Sequence, residues 1–377
     1  MTNKSVKLLI CGDIIPTKNN EQELMDLRLD EIFGDTVAVF KSADYRFCNM
    51  EGALTDRGVA INKAGPNIRA NPKTAAAYKA LGIDLVSLAN NHSLDWGKDG
   101  LCDTFEALRG VNVAFTGAGF NAEQARRPYR VEVKGHKISF ITVAEHEFTI
   151  ARNDRAGANP FDPFDTIEDI EAEKAAGYTV IVIYHGGKEH YPYTSPNTRR
   201  RCRKMAERGA DFIFCQHTHC VCCCEEYAGC HICYGQGNTL FGENSPECWL
   251  SELLPMITIG EDGRKSVEYY PVSQFDGRIK LAEGETADAI MKGFNERSAQ
   301  ILDDAVMNEK WEEFFTKDGI SRLKSMGIVN DELDETKPNA MVRFSNNIHA
   351  EIHYESVTSA IEYLREKKFG KLLVDGE

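Results

Sequence analysis

Residues 211–219, Asp-Phe-Ile-Phe-Cys-Gln-His-Thr-His, restrict the fold of this chain more than any other stretch. Residues 212–215 are apolar and read as a buried strand that stops at two histidines spaced i, i+2. On a loop just past a strand's end, that spacing lets both imidazoles turn toward one point, which suits a metal. Two ordinary polar loop histidines would have the same spelling, so the pair alone decides little. Its weight comes from repetition. The run 6–10 leads into Gly12-Asp13, 44–48 into Asn49-Met50-Glu51-Gly52, 83–88 into Ala89-Asn90-Asn91-His92 and 179–184 into His185-Gly186-Gly187. Side chains that follow the strands of an α/β sheet converge beyond its carboxyl edge, however far apart they lie in sequence.

Helical patterns fill the gaps between these runs, at 21–41, 72–81, 97–109, 166–176 and 196–208. Asn71 reads as an N-cap with Pro72 at the first helical position, and Gly110 as a stop signal. Two more strands are expected at 129–133 and 138–143, joined by a turn that leaves His136 in solvent; the second ends in Glu145-His146-Glu147. Residues 150–165, rich in Asn, Asp, Gly and Pro, read as a long surface loop, and the basic helix 196–208 as a solvated face. Short strands with an Asp262-Gly263 hairpin signal occupy 254–280, and the pattern turns helical from 284. The expectation is an α/β core in residues 1–282 and a helical C-terminal appendage in 283–377.

Composition narrows the function. A net charge of −14 over 377 residues argues against a general nucleic-acid or anionic-membrane binder. It leaves room for a phosphorylated or polyanionic substrate, because a bound metal reverses the local field. No apolar run approaches the ~18 residues of a membrane span, and the N-terminal residues lack a signal-peptide pattern, so a cytoplasmic protein is expected. Seven of the twelve cysteines fall between Cys215 and Cys233. The C-x-x-C pairs Cys220/Cys223 and Cys230/Cys233 suit zinc or an iron–sulfur cluster by spacing. However, Ala228-Gly229 reads as a hairpin tip, which puts both pairs on strands, where i and i+3 face opposite ways. The gap between the pairs is also short for a zinc ribbon. They are read as small buried residues in a reducing compartment.

Histidine nitrogens mixed with carboxylate and amide oxygens suit Mn, Fe or Zn. Two such ions ~3.5–4 Å apart can clamp a phosphoryl group and activate water near neutral pH. One carboxylate must bridge them, and Glu51 is the natural choice. Arg69, in the loop 64–69, has the fork to grip a phosphate or carboxylate. Glu189 follows His185 closely enough to orient a ligand. His146 and Asn238 are further candidates for substrate contact, with Glu145 and His190 beside them.

Together these blocks resemble the calcineurin-like metallophosphoesterases. The closer similarity is to their capsule-synthesis branch, the CapA or poly-γ-glutamate synthesis family. That branch has Asn-x-Glu-Gly, Asn-His-x-x-Asp-x-Gly and Tyr-x-x-Gly-Asn runs. This chain supplies Asn49-Met50-Glu51-Gly52, Asn91-His92-Ser93-Leu94-Asp95-Trp96-Gly97 and Tyr234-Gly235-Gln236-Gly237-Asn238. The resemblance covers residues 5–245. It implies two packed mixed β-sheets flanked by helices, with a two-metal site at one end. His217, His185 and Asn91 would hold one ion and Asp13 with His219 the other, bridged by Glu51, with His92 as general acid. Three departures stand out: Ile15 where the phosphoesterases have a histidine, Gln216 where they have a glycine before the His pair, and Glu51 for the bridging aspartate.

The function this implies is metal-dependent hydrolysis of a phosphoester. Two other roles fit the same residues. One is a non-hydrolytic part in making or exporting an anionic polymer such as poly-γ-glutamate. The other is a binding module that keeps a metal without catalysis, which the missing histidine at Ile15 motivates.

Overall fold

The computed structural model describes residues 4–241, 250–326 and 338–369. Two mixed sheets lie face to face. The first runs in the order Arg278–Leu281, Lys265–Phe275, Ser251–Ile259, Val6–Ile15, Tyr45–Met50, Leu85–Ser87, Ala114–Thr116, and Asn238–Phe241 pairs with the far half of Val6–Ile15. The second runs Cys224–Tyr227, Cys230–Cys233, Phe212–Gln216, Thr179–His185, His136–Ala144, Tyr129–Val133. In each sheet the central strands are parallel, so their carboxyl ends open on the same side.

Strand alternation explains why the sheets stack. Along Val6–Ile15, Val6, Leu8 and Ile10 enter the core between the sheets, while Leu9 and Cys11 join the layer under the helices. Phe47 from the first sheet stacks on Phe140 from the second, ring centroids 5.4 Å apart and planes nearly parallel. The cysteine-rich stretch joins the outer core of the second sheet, where Cys215, Cys220, Cys222, Cys223 and Cys230 are buried as free thiols. The hairpin tip falls at Ala228-Gly229, both at positive φ. Cys220 and Cys223 precede the strand Cys224–Tyr227 instead of lying on it.

Other expectations are corrected. Residues 21–41 form three short helices, Glu21–Met25, Leu29–Phe33 and Thr36–Ser42. Leu27 and Gly34 break the pattern at positive φ. His136 is buried and bonds through Nε2 to the Lys4 carbonyl at 2.8 Å. The basic helix Pro196–Glu207 is tied down by ion pairs, Arg203 to Glu225 at 2.6 Å and Arg199 to Asp304 at 2.7 Å. Short strands at 254–280 are in fact a long hairpin, Ser251–Ile259 with Lys265–Phe275.

Of the C-terminal helices, Gly284–Gln300 packs on Cys224–Tyr227 and Lys265–Phe275, while Asp304–Met326 packs on Pro196–Glu207 and gathers Pro338–His349 and Glu351–Phe369 around it. Arg297 donates to the carbonyls of Val221 and Cys222, each at 2.8 Å. Trp311 packs its ring against Tyr191, 5.7 Å between centroids. Glu355 accepts from Ser195 at 2.6 Å and caps the backbone at Asn197 at 3.0 Å. Among the described residues, no helix is long and apolar enough to cross a membrane.

Candidate metal centre

The strand Val6–Ile15 loses register with Tyr45–Met50 between Ile10 and Asp13, and with Asn238–Phe241 between Asp13 and Ile14. Such an irregularity re-aims a side chain. Gly12 is required there, because a Cβ would come within 2.4 Å of the Gly237 carbonyl oxygen. The carbonyls freed by the break are taken up across the sandwich: Gln236 donates to Ile10 at 2.8 Å and Gln216 to Cys11 at 3.1 Å. Gln216, one of the three departures, is thus a tie between the two sheets.

Asp13 then faces the end of the second sheet. Its Oδ1 accepts from Asn49 Nδ2 at 2.8 Å and its Oδ2 from the His217 backbone N–H at 3.3 Å. Asn49 Nδ2 also lies 3.3 Å from His185 Nδ1. The opposite nitrogen of His185 is 3.0 Å from Asn91 Oδ1 and 3.3 Å from Glu51 Oε1. Past Gln216 the chain turns through His217 at φ 82° and His219 at φ 56°, both left-handed. That conformation costs a non-glycine residue about 1 kcal/mol or more and persists where the surroundings hold it. His217 Nε2 points at Glu147, 3.4 Å away, and at Glu189, 3.9 Å away. His219 Nδ1 meets Asn238 Oδ1 at 2.8 Å, and its ring rests on Phe241.

The result is two triads with one shared member: Glu51 with His185 and His217, and Asp13 with Glu51 and His219. Within each triad the ligating atoms lie within 4.8 Å of one another, and all five residues are buried. Glu51 is 0% exposed, yet neither of its oxygens makes a hydrogen bond. A buried carboxylate left in that state costs several kcal/mol unless a cation meets it. The donor set therefore fits divalent metal, and it asks for positive charge on both sides of Glu51.

The electrostatics agree. Burial, reinforced by Glu51, raises the Asp13 carboxyl to about 7. Burial raises Glu51 to about 7 against the pull of His92, and Glu147 to about 7 with help from Glu189. Burial also lowers His185 to about 4 and His217 well below the usual imidazole range. Neutral imidazoles with free lone pairs and carboxyls short of a counter-charge are what a metal needs from its ligands.

His92 lies beside Glu51, Nε2 to Oε1 4.0 Å. Its Nδ1 is 2.6 Å from Asp95 Oδ2. Asp95 in turn takes the Lys63 ammonium and the Ile68 backbone N–H, the latter at 2.7 Å. Lys63 also donates to the Asn91 carbonyl at 3.1 Å and is itself buried. Sequence reasoning missed Lys63, which sits in a loop with no strand before it. It left Glu147 and Asn49 unassigned although both lie at strand ends.

The remaining sequence candidates are scattered. Asn238 meets His219 and so sits behind the cluster. Glu189 stands at its mouth, its side chain 42% exposed. His146 is outside: its backbone N–H and Nδ1 both bind Glu351, at 2.8 and 2.6 Å. Glu145 is also outside, accepting from the Tyr184 hydroxyl at 2.8 Å. His190 has its ring 6.4 Å from that of His219. Arg69 is stacked on Trp96 at 3.8 Å and lines a separate cavity of about 540 Å³ with Ile15 and Phe241.

Comparison with known proteins places the chain in a family. Residues 7–243 match the family model described as bacterial capsule synthesis protein PGA_cap, and the chain belongs to that family. It is 28% identical over 242 residues to the PGA biosynthesis protein CapA of Bacillus subtilis (strain 168), covering 62% of each chain. It is 26% identical over 287 residues to the capsule biosynthesis protein CapA of Bacillus anthracis, covering 74% of this chain and 70% of that one. A probable polyglutamine synthesis accessory protein of Mycobacterium tuberculosis (strain ATCC 25618 / H37Rv) is 31% identical over 224 residues, 55% of this chain and 59% of its own length. The chain thus spans under two thirds of the B. subtilis and M. tuberculosis relatives. A 5'-nucleotidase precursor from Thermus thermophilus superposes with a TM-score of 0.41 at 16% identity, over 77% of this chain and 57% of that one.

Proposed function

We propose that the chain is a metal-dependent hydrolase of phosphoesters, with a centre built around Glu51. One observation carries this reading: a wholly buried carboxylate without a hydrogen bond is shared by two ligand triads. Glu51, His185 and His217, with Asn91, would hold one cation, and Asp13, Glu51 and His219 the other, of Mn, Fe or Zn character. Such a pair supplies Lewis acidity toward a phosphoryl oxygen and makes water acidic near neutral pH.

The chain's own residues do the rest. Asn49 and the His217 backbone hold Asp13, and Asn238 orients His219. Asp95 fixes His92 through Nδ1, so Nε2 faces the cluster and can give a proton to the leaving oxygen. Lys63 and the Ile68 N–H hold Asp95 in turn. The test is turnover of an aryl phosphoester by Mn²⁺-loaded protein and its loss on chelation. A folded protein that takes up no metal and ignores chelators would overturn the reading.

A second reading is favoured by the relatives, which are described as capsule biosynthesis and probable polyglutamine synthesis accessory proteins. In it the same metal cluster serves the synthesis or export of an anionic polymer without hydrolysis. His92→Asn separates the two: a polymer role survives the substitution, and hydrolysis does not.

A further inference from the structure

A second cavity of about 540 Å³ shares Glu147 with the metal centre, because Glu147 lines it and also lies 3.4 Å from His217. Leu94, two residues beyond His92, forms part of the same wall. The rest of the lining is largely apolar and neutral, with Ile61, Phe148, Ile150 and Val342, and its fixed positive charges are Arg152 and Arg155. Arg152 and Arg155 are partners in an antiparallel bridge, with reciprocal backbone hydrogen bonds of 2.9 and 3.3 Å. Bridge partners project their side chains to one face, where like charges oppose each other and destabilise the turn. Arg155 is anchored through Nε to the Ile150 carbonyl at 3.1 Å. Among the described residues neither guanidinium forms an ion pair: Asp154 acts on Arg155 only as a nearby charge, outweighed by burial and by Arg152, and Glu351 is engaged by His146.

Two opposed arginines beside the Glu51 cluster, in a cavity whose lining holds a single carboxylate, Glu147, leave a place for an oxyanion. We propose that Arg152 and Arg155 form an anchoring subsite that grips an anionic group of the substrate while another part of the same molecule reaches the Glu51 cluster. The inference rests on the reading of that cluster as the reacting centre. The substrate is then a molecule with at least two anionic groups. The fourth wall comes from Ser345, Asn346 and His349, on the helix Pro338–His349, which lies beyond the residues matched by the family model. Selectivity at this subsite therefore belongs to this chain's own C-terminal helices.

The experiment is calorimetric titration of Mn²⁺-loaded protein with a short oligoglutamate and, separately, with inorganic tripolyphosphate, alongside metal analysis. Wild type, Arg152→Gln, Arg155→Gln and Arg152→Glu are compared. Arg152 is exposed, so its variants fold even if loss of the Arg155 anchor unsettles the turn. Each neutral substitution is expected to weaken binding of the better probe about tenfold, and Arg152→Glu more, with bound metal unchanged. The better probe tells whether carboxylate or phosphate is the anion. Equal affinity in wild type and the Arg152 variants, or a metal-loaded wild type that binds neither probe, overturns the subsite. A wild type that takes up no metal overturns the proposed function itself.

Discussion

At the residue scale, the protons that compete with metal sit on carboxyls. Asp13, Glu51 and Glu147 are raised to about 7, whereas His185 is lowered to about 4. The sign follows from linkage. Each carboxyl binds its proton more tightly folded than unfolded, where its value is ~4. The stability this gives the metal-free protein is full below ~4 and is lost as pH rises through 7. Added metal must displace those protons. Stabilisation by Mn²⁺, read as the rise in melting temperature, is thus expected to grow from pH 5 to 7.5 and level off above. A plateau already reached at pH 5.5 would contradict the shifts. His92 makes a sharper case, since it binds Asp95 on one side and faces Glu51 on the other. Replacing it with Asn is expected to lower turnover by ~10²–10⁴ with metal content unchanged, measured by steady-state kinetics and elemental analysis.

At the scale of elements, the break in the Val6–Ile15 strand determines where Asp13 points, and Gly12 makes the break possible. A Gly12→Ala chain must move the Gly237 segment aside. We expect it to lose ~1–3 kcal/mol in urea unfolding and to bind Mn²⁺ several-fold more weakly. Equal metal affinity in the variant would show that the bulge does not aim Asp13. Here the sequence was partly readable. The apolar runs announced the strands and their polar ends, because burial of a central strand leaves a plain signature. The breaks at Leu27 and Gly34 did not announce themselves, since apolar periodicity passed through them unaltered and only the left-handed backbone ends each helix. His136 was misjudged for a related reason. A turn residue is exposed by default, and only the distant Lys4 carbonyl explains its burial.

At the scale of the whole molecule, the two sheets bring residues 13, 51 and 91 within reach of 185, 217 and 219. The stacked pair Phe47 and Phe140 lies in the layer that sets this approach. Phe140→Ala is expected to cost ~3–5 kcal/mol of stability, measured by denaturant unfolding. A loss under 1 kcal/mol would mean that the layer is held elsewhere. Order along the chain revealed which residues end strands. Lys63 was not readable, because loops carry no periodicity and its partners Asn91 and Asp95 come from far along the chain; the pairing of Arg152 with Arg155 is set by a short turn that leaves no periodic signal either. A two-metal centre requires above all that Glu51 serve both triads, and metal stoichiometry tests this directly. Wild-type protein dialysed against Mn²⁺ near pH 7.5 should hold two ions per chain, and Glu51→Gln should lose both while keeping its fold. Two ions retained by Glu51→Gln, or none in the folded wild type, would contradict it.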